Sequence, residues 1–291
     1  MLEFFLNQNI ELLNTNVAED EEHLYDDSVT YKQGDKVIFN HKIFEWIDTN
    51  NGNELPTETS KRWANKGATN AYKMIDEFLN TQTKIEDELV FELDVSYVNV
   101  LGFFRCEAKR VKVEIIVDKR VVSVYERDLI KDSITNIYEY LGNDLEFVND
   151  FVIRLGFQLY NAKAKITLTR QNNTVKLGRV TKGMIDYVGD TLWGVKNTFL
   201  DFSYIQRDEN FGTVNMIRGN WAKRADVSVV VDTAKYDLVM SKINKILGKE
   251  TIFIIVEKFE MLMIYGFLKE HETILKNPSK SYIDLTIEGM I

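Results

Sequence analysis

The sequence predicts a mainly β protein: β-sandwich-like domains, then a C-terminal α+β unit in which one helix packs on an antiparallel sheet. Three observations carry this prediction. Several long runs alternate apolar and polar residues with a period of two, as strands with one buried and one wet face do. A convincing helical stripe lies between two strand-like runs near the C-terminus. Hydrophobic residues make up 45% and charged residues 28% of 291 residues, enough apolar material for two or three domains without covalent staples.

Residues 1–29 read as an N-terminal arm. Leu2, Phe4 and Phe5 make it apolar enough to need a partner surface. It docks either on its own domain, as an added strand, or on another chain. Within it, "AEDEEHLYDD" (18–27) is the densest acidic run. It reads as a solvated segment or as one that meets a basic neighbour.

Residues 30–67 read as a small, turn-rich β module. In "TYKQGDKVIFNHKIFEWID" (30–48), Gly34 and Asp35 make a turn that lets strand 37–39 pair with strand 43–47. Phe44 and Trp46 share one face of the second strand, and Ile43, Glu45 and Ile47 share the other. Either face can be the inner one. Tyr31, Phe44, Trp46 and Trp63 are thus candidates for a core or, where exposed and coplanar, for contact with a glycan or a partner.

Residues 68–190 read as a central β-sandwich domain. "LVFELDV" (89–95) and "YVNVLGFF" (97–104) are β-rich, and "VKVEIIVDKRVVSVYE" (111–126) reads as a hairpin turning at Asp118, Lys119 and Arg120. "AKAKITLTR" (162–170) places Ala162, Ala164, Ile166 and Leu168 on one face. "LIKDSITNIYEYLG" (129–142) fits a helix or irregular structure, and "LGRVTKG" (177–183) a hairpin turn.

Residues 191–291 read as the α+β unit. "RADVSVVVD" (224–232) and "YIDLTIEGM" (282–290) alternate like strands. "DTAKYDLVMSKINKILGK" (232–249) aligns Tyr236, Val239, Met240, Ile243 and Leu247 at helical spacing, with Asp232 or Thr233 to cap its start and Gly248 to end it. "SYIQRDENFG" and "RGNWAKR" (203–224) read as a long loop. Its Arg207, Asp208, Arg218, Lys223 and Arg224 are candidates for ion pairs within the fold or across a subunit interface, where the planar guanidinium fork binds carboxylates well.

The search for chemistry returns little. Cys106 is the single cysteine, so no internal disulfide or thiolate cluster is available. His23, His41 and His271 lie at no metal-ligand spacing. No nucleophile elbow, P-loop or dinucleotide fingerprint occurs. The expectation is a protein with no cofactor, no metal and no enzyme activity. A net charge of −9 argues against nucleic-acid contact. No apolar run reaches the roughly 20 residues of a membrane helix, and the N-terminus has no basic region preceding an apolar one.

Three blocks carry a resemblance. The order Tyr31, Gly34, Asp35, Val37, "IFEWI", Gly52, Pro56, Trp63 resembles the small chitin- and cellulose-binding module of bacterial glycosidases. "WANKGATNAYKMIDEFLNTQT" (63–83) follows it. "DFSYIQRDENFG", "WAKRADVSVVVD", "MIYGFLKE" and "SYIDLTIEGM" form the third block. Together they are similar to structural proteins of tailed bacteriophages that carry such a module near the N-terminus. The resemblance implies a virion component of the tail or head-to-tail neck, assembled in the bacterial host cytoplasm. Its partners are then copies of itself and other tail or neck proteins. The alternative it leaves open is a receptor- or glycan-binding accessory protein of the virion, with a host-surface glycan as partner.

Overall fold

A computed structural model describes every residue except 132–145, 157, 208–211 and 276–277. The helix considered over 129–142 lies almost wholly outside the described residues. The fold is mainly β, with several antiparallel sheets and a C-terminal helix packed on one of them.

The small module is a four-stranded sheet of β3 (His23–Leu24), β4 (Lys36–Phe39), β5 (Lys42–Trp46) and β6 (Trp63–Ala68). Lys36 to Phe39 pair with Glu45 to Lys42. The reversal falls at Asn40 and His41, whose φ values of 49° and 61° suit a tight two-residue hairpin. Gly34, at φ 92°, extends the ladder by donating its N–H to the Trp46 carbonyl.

The central domain is a β-sandwich. One sheet runs β10 (Arg120–Asp128), β9 (Arg110–Val117), β12 (Ala162–Leu177), β7 (Thr83–Asp94), β2 (Leu12–Thr15). The facing sheet runs β11 (Phe151–Arg154), β8 (Val100–Phe104), β13 (Arg179–Gly183). Ala162, Ala164, Ile166 and Leu168 all point into the core between them, as their period-two spacing requires. The β9–β10 turn is narrower than the sequence suggests: Asp118 and Lys119 take positive φ, and Arg120 already pairs with Val117.

"LGRVTKG" is not a turn. Residues 179–183 form β13, a strand paired with β8 and buried along its whole length. It looks like a turn in sequence because it carries two glycines and two cations. Burial is possible because Arg179 finds the Ile75 carbonyl and Glu250, while Lys182 Nζ donates to the Asp94 carbonyl at 2.7 Å.

The C-terminal unit is built from β14 (Asp186–Thr191), β15 (Lys196–Asp201), β18 (Trp221–Asp232), β19 (Thr251–Ile254), β20 (Met263–Ile274), β21 (Lys280–Gly289) and β1 (Leu2–Leu6). Their order is β14-β1-β19-β20-β21-β18-β15, and β14 also pairs with β18. Six of the strands, β14, β1, β19, β20, β21 and β18, thereby close into a barrel, and β15 stays an edge strand beside β18. Helix α1 (Tyr236–Ile246) closes the core with Val239, Ile243 and Ile246. The stripe ends on Ile246, because Leu247 already leaves the helix and stays exposed. No side chain caps the first turn; a 3-10 turn at Thr233–Lys235 leads in instead. Gly248 takes the left-handed conformation expected after a helix end.

Residues 1–29 do not form a separate arm. β1 joins the barrel, β2 the sandwich and β3 the module. Leu2 and Phe4 point into the barrel, whereas Phe5 points out into a second apolar layer with Val100, Phe104, Ile252 and Ile254. The three-stranded sheet is thus covered on both faces, which explains the unbroken burial of β8.

Candidate functional site

The four aromatic candidates of the module are its core. Tyr31, Phe44, Trp46 and Trp63 are 5%, 3%, 0% and 3% exposed. Trp46 and Trp63 meet edge to face at 4.9 Å, and Tyr31 meets Trp63 at 5.2 Å. Their polar atoms are satisfied internally: Trp46 Nε1 donates to the Asn50 carbonyl and Trp63 Nε1 to the Glu54 carbonyl. Phe44 and Trp46 occupy the inner face, so these residues offer no stacking surface to a sugar or a partner. The physical reason is size: a domain this small needs its large aromatics to fill its only core.

Leu2, Phe4 and Phe5 are likewise not an interface to another chain. All three are buried in their own fold, at 0%, 4% and 0% exposure. Phe5 sits where two glycines make room. A Cβ on Gly183 would lie 2.5 Å from the Leu6 carbonyl oxygen and 2.7 Å from the Phe5 ring, and one on Gly102 would lie 3.3 Å from that ring.

The charged candidates divide. Lys223 is an internal group: its side chain is 11% exposed, and Nζ donates to Asp150 Oδ2 and to the carbonyls of Glu260 and Met263. Arg224 is half-buried, with Nε 3.6 Å from Asp226 Oδ1. Arg207 and Arg218 are exposed. Asp208 lies outside the described residues.

Arg207 and Arg218 flank the feature that the sequence reading missed. The stretch taken for a loop contains a hairpin, β16 (Tyr204–Arg207) and β17 (Val214–Ile217), that continues the β15–β18 pair. Tyr204 faces Ile217, and Ile205 faces Met216. Every residue of both strands is exposed. Phe199, Phe202 and Trp221 are large exposed residues at its base, and Trp193 is fully exposed on the β14–β15 connection. Alternation in "VNMI" and the Gly212 turn signal were legible. What was not legible is that neither face of this ribbon finds cover.

Two touching aromatic pairs are exposed in both members: Tyr97 with Tyr160, at 5.6 Å and 67°, and Phe199 with Trp221, at 5.2 Å and 84°. Both are edge to face, so neither presents a flat double platform. His41 contacts Glu19 at 2.7 Å and stacks on Tyr72, while His23 is exposed on β3. Among the described residues no group of three or more His, Cys, Asp or Glu side chains is placed to hold a metal ion. Among them, no helix is long and apolar enough to cross a membrane. Burial and the nearby charges of Asp150 and Glu107 push the Cys106 thiol well above its ordinary range, which leaves it unreactive. Comparison with known proteins finds no family model, no curated protein and no solved structure that matches this chain.

Proposed function

We propose that this chain is an assembly protein: a structural component of a tailed-phage virion that oligomerises in the tail or head-to-tail neck and contacts neighbouring virion proteins. The observation that carries the reading is the exposed hairpin of β16 and β17. An isolated two-stranded ribbon is marginal in water. This one exposes Tyr204, Ile205, Val214, Met216 and Ile217 to solvent, with no covering element among the described residues. Covering that surface with a neighbouring copy removes the penalty, and repeated head-to-tail contacts of this kind close into rings. Copies carrying a net charge of −9 repel one another, so apolar burial supplies the attraction. The resemblance of the three sequence blocks, in their order, to phage structural proteins supports the virion setting.

The test has two arms. Light scattering of the purified chain is expected to show an oligomer. The doubly substituted chain Ile205→Glu, Met216→Glu is expected to be monomeric, with an unfolding temperature within a few degrees of the parent. Mass spectrometry of purified particles of the encoding phage is expected to find the chain. A monomeric parent chain that is also missing from particles would sink the proposal.

A further inference from the structure

At the base of the hairpin a cleft of about 360 Å3 opens between the barrel and the sandwich. It is lined by six charged side chains: Arg105, Glu107, Lys131, Asp150, Lys223 and Glu260. Five have ion-pair partners. Lys223 pairs with Asp150. Lys131 Nζ lies 2.9 Å from Glu260 Oε2, and Glu260 Oε1 accepts the Asn149 N–H. Glu107 is held by Lys176 at 2.9 Å and Arg170 at 3.3 Å. Arg105 is left over: its guanidinium has no ion-pair partner among the described residues, and Asp150 acts on it only from a longer range.

The placement of Arg105 is unusual in a second way. It directly follows β8 with a φ of 51°, in the left-handed region that non-glycine residues seldom occupy. Its N–H donates to Asp150 Oδ1 at 2.8 Å, and its carbonyl accepts from Gly178 N–H and Gln82 Nε2, both at 3.3 Å. Such a conformation persists only when its surroundings over-determine it. The side chain is half-buried, and its guanidinium carbon lies 5.9 Å from the centre of the Trp221 ring. A cation within about 6 Å of an aromatic ring is attracted to it, and the planar guanidinium fork is suited to gripping a carboxylate with two hydrogen bonds. A desolvated cation without a counter-ion is costly to hold. Burial lowers the affinity of this guanidinium for its proton, yet arginine stays charged.

We infer that this cleft binds a carboxylate, gripped by the Arg105 fork, with the apolar part of the ligand against Trp221. One uncommitted positive charge matches one negative charge, whereas a dianionic phosphate would bring an excess. The volume sits at the small end of the roughly 300–1,000 Å3 typical of ligand pockets. It suits a small carboxylic acid or a single acidic side chain of a peptide segment. This inference stands independently of the virion reading.

Nitrogen-15 NMR of the full chain tests it, with the Trp221 indole N–H, assigned through Trp221→Phe, as reporter. The probes are sodium benzoate, its neutral analogue benzamide, phenyl phosphate and the capped tripeptide acetyl-Ala-Glu-Ala-amide. Benzoate or the tripeptide is expected to shift the reporter, and benzamide to leave it unmoved. Arg105→Gly, which glycine's tolerance of positive φ lets fold, is expected to weaken binding by roughly tenfold or more, as loss of a charge-assisted hydrogen bond does. Tighter benzoate binding assigns the site to a free acid, and tighter tripeptide binding to a chain segment. A reporter unmoved by both carboxylates, equal shifts with benzamide, tighter binding of phenyl phosphate, or undiminished binding to Arg105→Gly would each overturn the inference.

Discussion

The Lys223–Asp150 pair joins the barrel to the sandwich through one buried contact, with both side chains 11% exposed. Asp150 also holds the Arg105 N–H, and Lys223 also satisfies two carbonyls. Removing either partner leaves an uncompensated buried charge. Asp150→Ala and Lys223→Met are each expected to cost about 3–5 kcal/mol in denaturant unfolding; a loss below about 1 kcal/mol, the scale of a surface pair, contradicts the assignment. Tyr187 offers a pH test. Burial, then its hydrogen bond to Asp190 at 2.9 Å and the carboxylates nearby, push its phenol up to about 12 from an ordinary 10. A pKa raised by folding contributes stability that is complete below pH 10 and lost as pH rises through about 12. Between pH 9 and pH 11 the parent chain is therefore expected to lose more stability than Tyr187→Phe, as followed by chemical denaturation. Equal losses would remove Tyr187 as the cause.

At the scale of elements, β1 holds two domains together. One edge pairs with β14 and the other with β19, while Phe5 reaches the outer face of β8. Glu3 adds an ion pair to Arg154 of β11 at 2.6 Å. Gly183→Ala places a methyl against the Leu6 backbone, which has no flexible end to yield. The expected cost is about 1–3 kcal/mol, read as a lower unfolding temperature; an unchanged transition shows that β1 is free to shift. The hairpin of β16 and β17 behaves in the opposite way. It contributes little to the core, so acidic substitutions there are expected to leave the fold intact.

Across the molecule, the aromatic residues of the small module are consumed by its own core. The carbohydrate-module likeness of residues 30–67 therefore concerns how that domain is packed. Glycan-array screening of the full chain is expected to be blank, because Tyr31, Phe44, Trp46 and Trp63 are all buried. Binding abolished by Trp46→Phe or Trp63→Phe, in chains that remain folded, would restore the glycan reading. Apolar side chains stay exposed along the hairpin and at its base, and beside them lies the Arg105 cleft. The proposed association surface and the proposed carboxylate cleft thus meet at Trp221.

Fold class and the apolar side of most strands follow from local pattern. Period-two runs such as 162–170 and 282–290 have one buried side in any arrangement, and the stripe of α1 needed only local spacing. The sequence also showed why no catalytic constellation was expected. Tertiary structure alone decided where each face was buried. Leu2, Phe4 and Phe5 became inner strand residues because β14 and β19 leave a gap that β1 fills, nearly the whole chain away in sequence. Phe44 and Trp46 turned inward because Trp63 returns to meet them. Residues 179–183, polar to the eye, became a buried strand because Glu250 and the Ile75 carbonyl accept from the two terminal nitrogens of Arg179 and the Asp94 carbonyl accepts from Lys182. Arg105 gained its character from long-range pairing, since among the described residues the carboxylates of its cleft are matched to other cations. Local patterns fix which side of an element is apolar; only long-range partners fix what covers it and which charges are left over.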